Sequence, residues 1–308
     1  MNALVIAELR RIAARRAVRL AVLLVAIGIA AGGVIAFATT SSLPQATYEQ
    51  RVRVADAKRE AQLANMKTCL ASHGVEVGQD YPRAVAQACI PQHLAKAHDP
   101  RFQRFQLAGV LKGSGGVLAI LGLALGATLL GAEFASRGMT TLLTYEPRRL
   151  RVFGAKVTAG LIAVAAFAFV SLVALALALL PAMLAHGAPV SSNDPSFATI
   201  AGVIGRGTLL VTLITGIGMA IATLGRGTAA ALGAGFAYLV VLENILGSFL
   251  ASFRPWLLLG NIIVFVSGQD GGGDVSGRSV LGAGIFLTLV TAGLLAIAAT
   301  SFRQRDIA

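Results

Sequence analysis

Six long runs of apolar residues constrain what this chain can fold into. They cover residues 20–38, 110–130, 157–184, 207–224, 228–249 and 280–301. A helix of about 20 residues is ~30 Å long, which matches the hydrocarbon thickness of a bilayer. Only 13% of the residues are charged, whereas about a quarter are charged in soluble domains. The sequence therefore predicts an all-α polytopic membrane protein with six transmembrane helices.

Basic residues predict the orientation of these spans. Those near the helix ends of one side are Arg10, Arg11, Arg15, Arg16, Arg19, Arg137, Arg148, Arg149, Arg151, Lys156, Arg226, Arg303 and Arg305. The short loops on the opposite side hold only Arg206, Arg254 and Arg278. Because cytosolic loops carry an excess of Lys and Arg, both termini are expected in the cytosol. The net charge of +12 follows from this asymmetry, so we expect contact with anionic membrane lipid and none with nucleic acid.

The segments between the apolar runs predict the domain organisation. Residues 1–19 are expected to form a cytosolic interfacial helix, because Val5, Leu9 and Ile12 share one helical face while arginines occupy another. Residues 20–38 are the first transmembrane helix, and residues 110–301 hold helices 2–6. Between helices 1 and 2, residues 39–109 are predicted to form a small extracellular helical hairpin. Residues 302–308 are a cytosolic tail.

The chain has two cysteines, Cys69 and Cys89, one on each arm of the predicted hairpin. Outside the cytosol a disulfide is the expected state of such a pair, and two unpaired buried thiols are the alternative. The four histidines have no carboxylate or cysteine at metal-ligand spacing, so they are interpreted as solvated loop residues. No metal site and no catalytic site are predicted.

Residues 254–273 contain an apolar run that is too short to cross the bilayer. The run covers residues 256–266 and would be roughly 16 Å long as a helix, about half of the hydrocarbon thickness. Counting it as a span would also place the C-terminus outside the cell. We therefore predict a re-entrant segment.

Glu243, which is followed by Asn244, is the acidic residue placed inside a predicted span. A charge in hydrocarbon costs roughly 2.5–3.5 kcal/mol on insertion scales, so it should face a partner or a wet cavity. One interpretation makes both residues part of a translocation path. The other is a structural ion pair with Lys112, Arg206 or Arg254.

Residues 131–156, named here the coupling segment, read GAEFASRGMTTLLTYEPRRLRVFGAK between two apolar runs. Its Glu133, the Gly138-x-Thr140 step, the Leu142-Leu143 pair, Pro147 and Lys156 resemble the cytosolic coupling segment of ABC-2 type permeases. The chain departs from that pattern at Arg148, Arg149 and Arg151, where the family has a single arginine three residues after the proline. Residues 302–307, FRQRDI, are similar to the F-x-x-R-D-[IVL] ending that is frequent among these permeases.

The resemblance implies a type V exporter-like fold and the transmembrane subunit of a bacterial ABC exporter in the cytoplasmic membrane. Such a subunit pairs with a second permease, as a homodimer or heterodimer, and binds two copies of an ABC ATPase. ATP and Mg would be bound by that ATPase, since this chain has no phosphate-binding loop. The residues implied in coupling are Glu133, Phe134, Arg137, Gly138, Thr140, Leu142, Leu143, Pro147, Arg148 and Arg149.

Three alternatives stay open at this point. The coupling segment could serve only as a positively charged topological anchor. The chain could be an ATP-independent secondary transporter or channel, a class that more often carries several intramembrane charges or inverted repeats. It could also be a sensor or scaffold that transmits the state of the extracellular hairpin without moving a substrate.

Overall fold

The computed structural model describes residues 2–73, 85, 88–91, 93–136, 148–190, 194–238, 241, 243, 245, 251–269 and 278–304. Within these residues the chain forms nine α-helices and one 3-10 helix. The helices are α1 (Asn2–Ala14), α2 (Arg16–Thr39), α3 (Gln45–Ser72), α4 (Arg104–Ala135), α5 (Arg149–His186), α6 (Phe197–Leu224), α7 (Thr228–Ala237), α8 (Leu258–Ser267) and α9 (Val280–Gln304). The 3-10 helix, Ala251–Trp256, precedes α8.

Five helices of the described chain, α2, α4, α5, α6 and α9, are long and apolar enough to span a membrane. This agrees with the predicted all-α, multi-pass membrane protein. The predicted span at residues 228–249 corresponds to α7, which has only ten residues, and most of residues 239–250 lie outside the described chain. The predicted re-entrant segment contains α8, also ten residues and thus ~15 Å long.

The long helices extend well beyond the apolar runs that predicted them. The run at residues 157–184, for example, lies inside the 38-residue helix α5. An apolar run reports how much chain suits hydrocarbon, whereas backbone hydrogen bonding can continue through the polar residues at either end. The helix is therefore longer than the apolar run at both ends.

The core of the spanning helices is the pair α4 and α6. Gly126 lies so close to α6 that an added Cβ atom would collide with the carbonyl oxygen of Thr215, and a Cβ atom at Gly218 would come within 2.5 Å of the Leu123 carbonyl oxygen. Leu210, among other residues of α6, is fully buried. Small residues let two membrane helices approach this closely, so these glycines serve packing within the chain.

The chain divides into two compact units. The helix unit comprises Met1–Val34, Arg104–Leu180 and Asn193–Ala308, and the hairpin unit comprises Ile35–Gln103 and Pro181–Ser192. In the hairpin unit, the Phe102 amide donates to the His186 carbonyl at 2.8 Å and the Ala188 amide donates to the Phe102 carbonyl at 3.0 Å. These bonds fasten the end of the predicted hairpin to the residues that follow Pro181.

Candidate functional site

The structure describes both ends of the coupling segment. Helix α4 ends at Ala135 and α5 begins at Arg149, and residues 137–147 lie outside the described chain. The predicted coupling residues among those are Arg137, Gly138, Thr140, Leu142, Leu143 and Pro147. The other predicted coupling residues, Glu133, Phe134, Arg148 and Arg149, are described. The candidate site is therefore the base of the segment.

Glu133 and Lys156, the acidic and the closing basic residue of the segment, form a buried ion pair. The Lys156 Nζ atom lies 2.6 Å from Glu133 Oε2. The same nitrogen lies 2.8 Å from Oε1 of Glu8, on α1. The side chains of Glu133 and Lys156 are each 4% exposed. One ammonium group thus joins α1, the end of α4 and the start of α5.

Arg11 of α1 and Arg15, which directly follows α1, complete this arrangement. Arg15 makes an ion pair with Glu133 through Nη2, and its Nη1 donates to the carbonyl oxygens of Thr128 and Leu129 at 3.3 and 3.2 Å. Arg11 lies 3.6 Å from Glu133 and 3.8 Å from Glu8, with its side chain 47% exposed. We refer to Glu8, Arg11, Arg15, Glu133 and Lys156 as the ionic network.

Burial determines what the ionic network does for the fold. Taking charges out of water costs several kcal/mol per ion, and that cost is recovered only while every charge keeps its partners. Glu133 has three cations around it, and Lys156 has two carboxylates. The network thus holds three elements in one arrangement and penalises any movement that separates them.

An aromatic cluster that includes the C-terminal part of α9 also packs at the base of the coupling segment. Phe302, which opens the F-x-x-R-D-I ending, is 3% exposed. Its ring centroid lies 6.3 Å from that of Phe134 and 5.6 Å from that of Phe153. Arg149 Nη1 also donates to the carbonyl oxygen of Arg303 at 3.4 Å. The end of α9 therefore packs against both ends of the coupling segment.

The sequence argument used Arg11 and Arg15 only for orientation and for the interfacial helix, and it missed Glu8 and Phe153 altogether. Glu8 did carry a signal, since it is the only acidic residue among the first 48 and lies beside Arg10 and Arg11. Phe153 carried none, because an aromatic residue near the start of an apolar helix is commonplace. Their roles follow only from which helices meet.

Glu243 lies against the start of α8. The side chain is buried, and its Oε1 accepts a hydrogen bond from the Leu259 amide at 2.6 Å. The Tyr238 hydroxyl accepts one from the Leu258 amide at 3.1 Å. The first amides of a helix lack partners within it, and a carboxylate there also suits the helix dipole. Glu243 thus caps α8, and no basic side chain of the described chain pairs with it; Asn244 lies outside the described residues.

Cys69 and Cys89 are joined in the structure as a disulfide, with Cα atoms 5.4 Å apart. Nδ1 of His73 lies 3.7 Å from the Cys89 sulfur and 2.9 Å from the Cys69 carbonyl oxygen. These three residues are close enough together to form a metal site. Metal ligation by cysteine requires a thiolate, however, and the disulfide occupies both sulfur atoms.

Comparison of the chain with protein-family models, with curated proteins and with solved structures finds no match to any of them. Its function is therefore inferred from its own residues and their geometry.

Proposed function

We propose that the chain is the transmembrane permease subunit of a bacterial ABC-2 type exporter, with its termini in the cytosol of the cytoplasmic membrane. The observation that carries this proposal is the bracing of the coupling segment at its base. The ionic network ties both ends of the segment to α1, and Phe302 packs against both ends from α9. A loop that only anchored topology would need basic residues alone.

This base suits a segment that receives force from a partner. Residues 137–147 would dock on the ATPase, with the Leu142-Leu143 pair as the apolar contact, a form of helix-in-groove recognition. Movement of the segment would pass through Glu133 into α4 and through Lys156 into α5. Because α4 forms the core pair with α6, the displacement would reach the centre of the helix unit. ATP and Mg belong to the partner.

Glu133 would act in this mechanism as a positioning residue. Its carboxylate is turned into the chain and surrounded by Lys156, Arg15 and Arg11, so it is not available to a partner protein. Its contribution would be to hold the end of α4 against α1 and α5. Contact with the ATPase would fall to the segment beyond Ser136.

The arrangement of helix ends supports six crossings and a type V exporter-like topology. Helix α1 and the end of α9 both lie at the base of the coupling segment, which favours an even number of crossings. Helix α7 starts at this same end, since its Thr228 amide lies against Gly131 of α4. Because α9 ends there, it must begin at the opposite end. The chain between Thr228 and Val280 would then cross once, giving a sixth span beside the five long helices.

The test begins with a search for an ABC ATPase gene beside the gene of this chain, followed by a pull-down and an ATPase assay with its product in nanodiscs. Leu142→Ser with Leu143→Ser should leave expression near normal, because the pair lies outside the predicted spans. Each buried leucine contributes about 1.5–3 kcal/mol, so complex recovery should fall tenfold or more. Ile6→Ser, which alters an exposed apolar residue of α1, is the matched control and should keep wild-type recovery.

Two results would overturn the proposal. If the double variant keeps wild-type recovery and wild-type stimulation of hydrolysis, the segment is only a topological anchor. If the wild-type chain does not associate with the ATPase at all, an ATP-independent transporter, channel or sensor becomes the better interpretation.

A further inference from the structure

Arg206 lies on α6 and would be at one membrane interface when the end of the helix is at the other. It stands 18 residues before the end of the helix at Leu224, which is ~27 Å along the axis and close to the thickness of the hydrocarbon. At the same end of the helix unit, Arg278 stacks over the rings of Trp256 and Phe286, at 4.9 and 4.6 Å from their centroids. Trp and Arg together are typical of a membrane interface.

The Arg206 guanidinium is half-buried and has no partner among the residues that the structure describes. Its Nε atom is fully buried without a hydrogen bond, and no ion pair or hydrogen bond joins Arg206 to any residue that the structure describes. The group lies across Gly268, the left-handed residue that ends α8 at φ 67°, and a Cβ atom at Gly268 would collide with it. A guanidinium with free N–H groups can donate them to a carboxylate or a phosphate.

A groove leads from this cation along α9. Its volume is about 740 Å³, and α6, α8 and α9 form its walls. The apolar lining includes Leu209, Phe265, Leu281, Ile285 and Leu289. From Val280 to Leu289 the groove follows ten residues of α9, ~14 Å towards the interior of the spans. Leu281 and Leu289 are 75% and 66% exposed within the chain, so most of their apolar surface is open to contact with another molecule.

We propose that this groove binds an anionic phospholipid of the surrounding bilayer, with the phosphate on Arg206 and an acyl chain along α9. Charge complementarity selects the headgroup, because an unpaired guanidinium at the edge of hydrocarbon is costly and a phosphate can accept its fork. The apolar lining favours a ligand that has an acyl chain, since a small hydrophilic anion would leave the apolar walls uncovered. A zwitterionic lipid such as phosphatidylcholine offers the same phosphate, but its quaternary ammonium repels the guanidinium and weakens the attraction. The site is independent of any ATPase partner.

The experiment measures lipid bound to the purified full-length protein by native mass spectrometry. The detergent-solubilised chain is incubated with equal amounts of dioleoyl phosphatidylglycerol and dioleoyl phosphatidylcholine, and separately with glycerol 3-phosphate. We expect about a tenfold preference for phosphatidylglycerol over phosphatidylcholine, and no retention of glycerol 3-phosphate. Arg206→Gln should reduce the preference to near parity, and Arg206→Lys should retain part of it. Arg16→Gln, which removes an equal charge at the opposite end of the spans, is the control.

A second measurement needs no variant and covers the case in which Arg206→Gln fails to fold. Trp256 is the only tryptophan of the chain, and its ring contacts Phe286, next to the groove residue Ile285. Brominated phosphatidylglycerol should quench its fluorescence at lower mole fraction than brominated phosphatidylcholine.

Equal quenching by the two lipids would overturn the proposal. So would an unchanged lipid preference in a folded Arg206→Gln protein, or an equal loss in the Arg16→Gln control. Retention of glycerol 3-phosphate as strong as that of phosphatidylglycerol would also reject it, since the site would then take a free anion without a lipid tail.

Discussion

Lys156 is the buried cation that contacts both carboxylates of the ionic network, at 2.6 Å from Glu133 and 2.8 Å from Glu8. Replacing it with Met keeps the length of the side chain and removes the charge. Two carboxylates would then lose their ammonium partner in a buried site, which costs roughly 3–5 kcal/mol. We expect Lys156→Met to lower the unfolding midpoint in detergent strongly, as measured by heating or by titration with SDS.

Arg11 provides the matched control, because it belongs to the same network with its side chain 47% exposed. Surface ion pairs contribute about 0–1 kcal/mol, so Arg11→Gln should shift the midpoint little. A double-mutant cycle of Lys156→Met with Glu133→Gln should be non-additive by about 0.5–3 kcal/mol, since the two residues are in contact. Equal, small shifts for Lys156→Met and Arg11→Gln would show that burial does not govern this network.

At the scale of single elements, the start of α8 depends on residues far from it in sequence. Glu243 and Tyr238 accept from the amides of Leu259 and Leu258. Loss of a capping side chain costs about 0.5–2 kcal/mol, mostly as fraying of the first turn. We expect Glu243→Ala to accelerate hydrogen exchange at the Leu259 amide, and Tyr238→Phe to do so at Leu258. Unchanged exchange in both variants would contradict the capping role.

The cap of α8 is a feature that could not be predicted from the sequence. Periodicity and length identified the apolar helices, because burial in hydrocarbon is a property of each run by itself. Glu243 was recognised as an acid that needs a partner, and the partners considered were basic side chains. The structure gives it a backbone amide of α8, 16 residues along the chain. Which helix end meets which side chain depends on tertiary packing, and no local pattern encodes it.

At the base of the coupling segment, too, part of the arrangement was predictable from the sequence and part was not. The sequence pattern included both Glu133 and Lys156 and assigned Glu133 to coupling with a partner, but it did not pair the two residues with each other. Its burial beside Lys156 and Arg15 follows from the return of α1 to this place. A sequence motif marks which residues matter, whereas burial decides whether they act by contact or by positioning.

At the scale of the hairpin unit, Arg101 connects its last residues to α3. The guanidinium donates to both oxygens of Asp99 at 2.8 Å and to Gln45 at 2.8 Å, and it lies 4.3 Å from the centre of the Tyr48 ring. Burial alone would raise the pKa of Asp99, but hydrogen bonds from the Arg101 side chain and backbone, its charge and Gln103 together lower the pKa below its usual range.

A lowered pKa fixes the sign of the pH dependence. Asp99 stabilises the hairpin unit at pH values above the unfolded pKa of about 3.9, and this stability is lost as the pH falls through the lower folded value. We expect the urea midpoint of the hairpin unit to fall on acidification below about pH 4 in the wild type. Asp99→Asn should lower the midpoint at neutral pH and flatten this acid limb. An acid limb that is equally steep in Asp99→Asn would assign the pH dependence to other carboxylates.

At the scale of the whole molecule, the number of crossings determines where the C-terminus lies. Phe302 packs on Phe153, three residues from Lys156, which pairs with Glu8 of α1, so α1 and the end of α9 meet at the base of the coupling segment. The six crossings proposed above place both termini on one side, and the distribution of Lys and Arg predicts that this side is the cytosol. We expect alkaline phosphatase fused after Ile307 to be inactive and a cytosolic reporter fused there to be active. A fusion of the phosphatase after Ser42, beyond α2, should be active and serves as the control. An active phosphatase after Ile307 would mean an odd number of crossings, and the chain between Thr228 and Val280 would then return to the side from which it started.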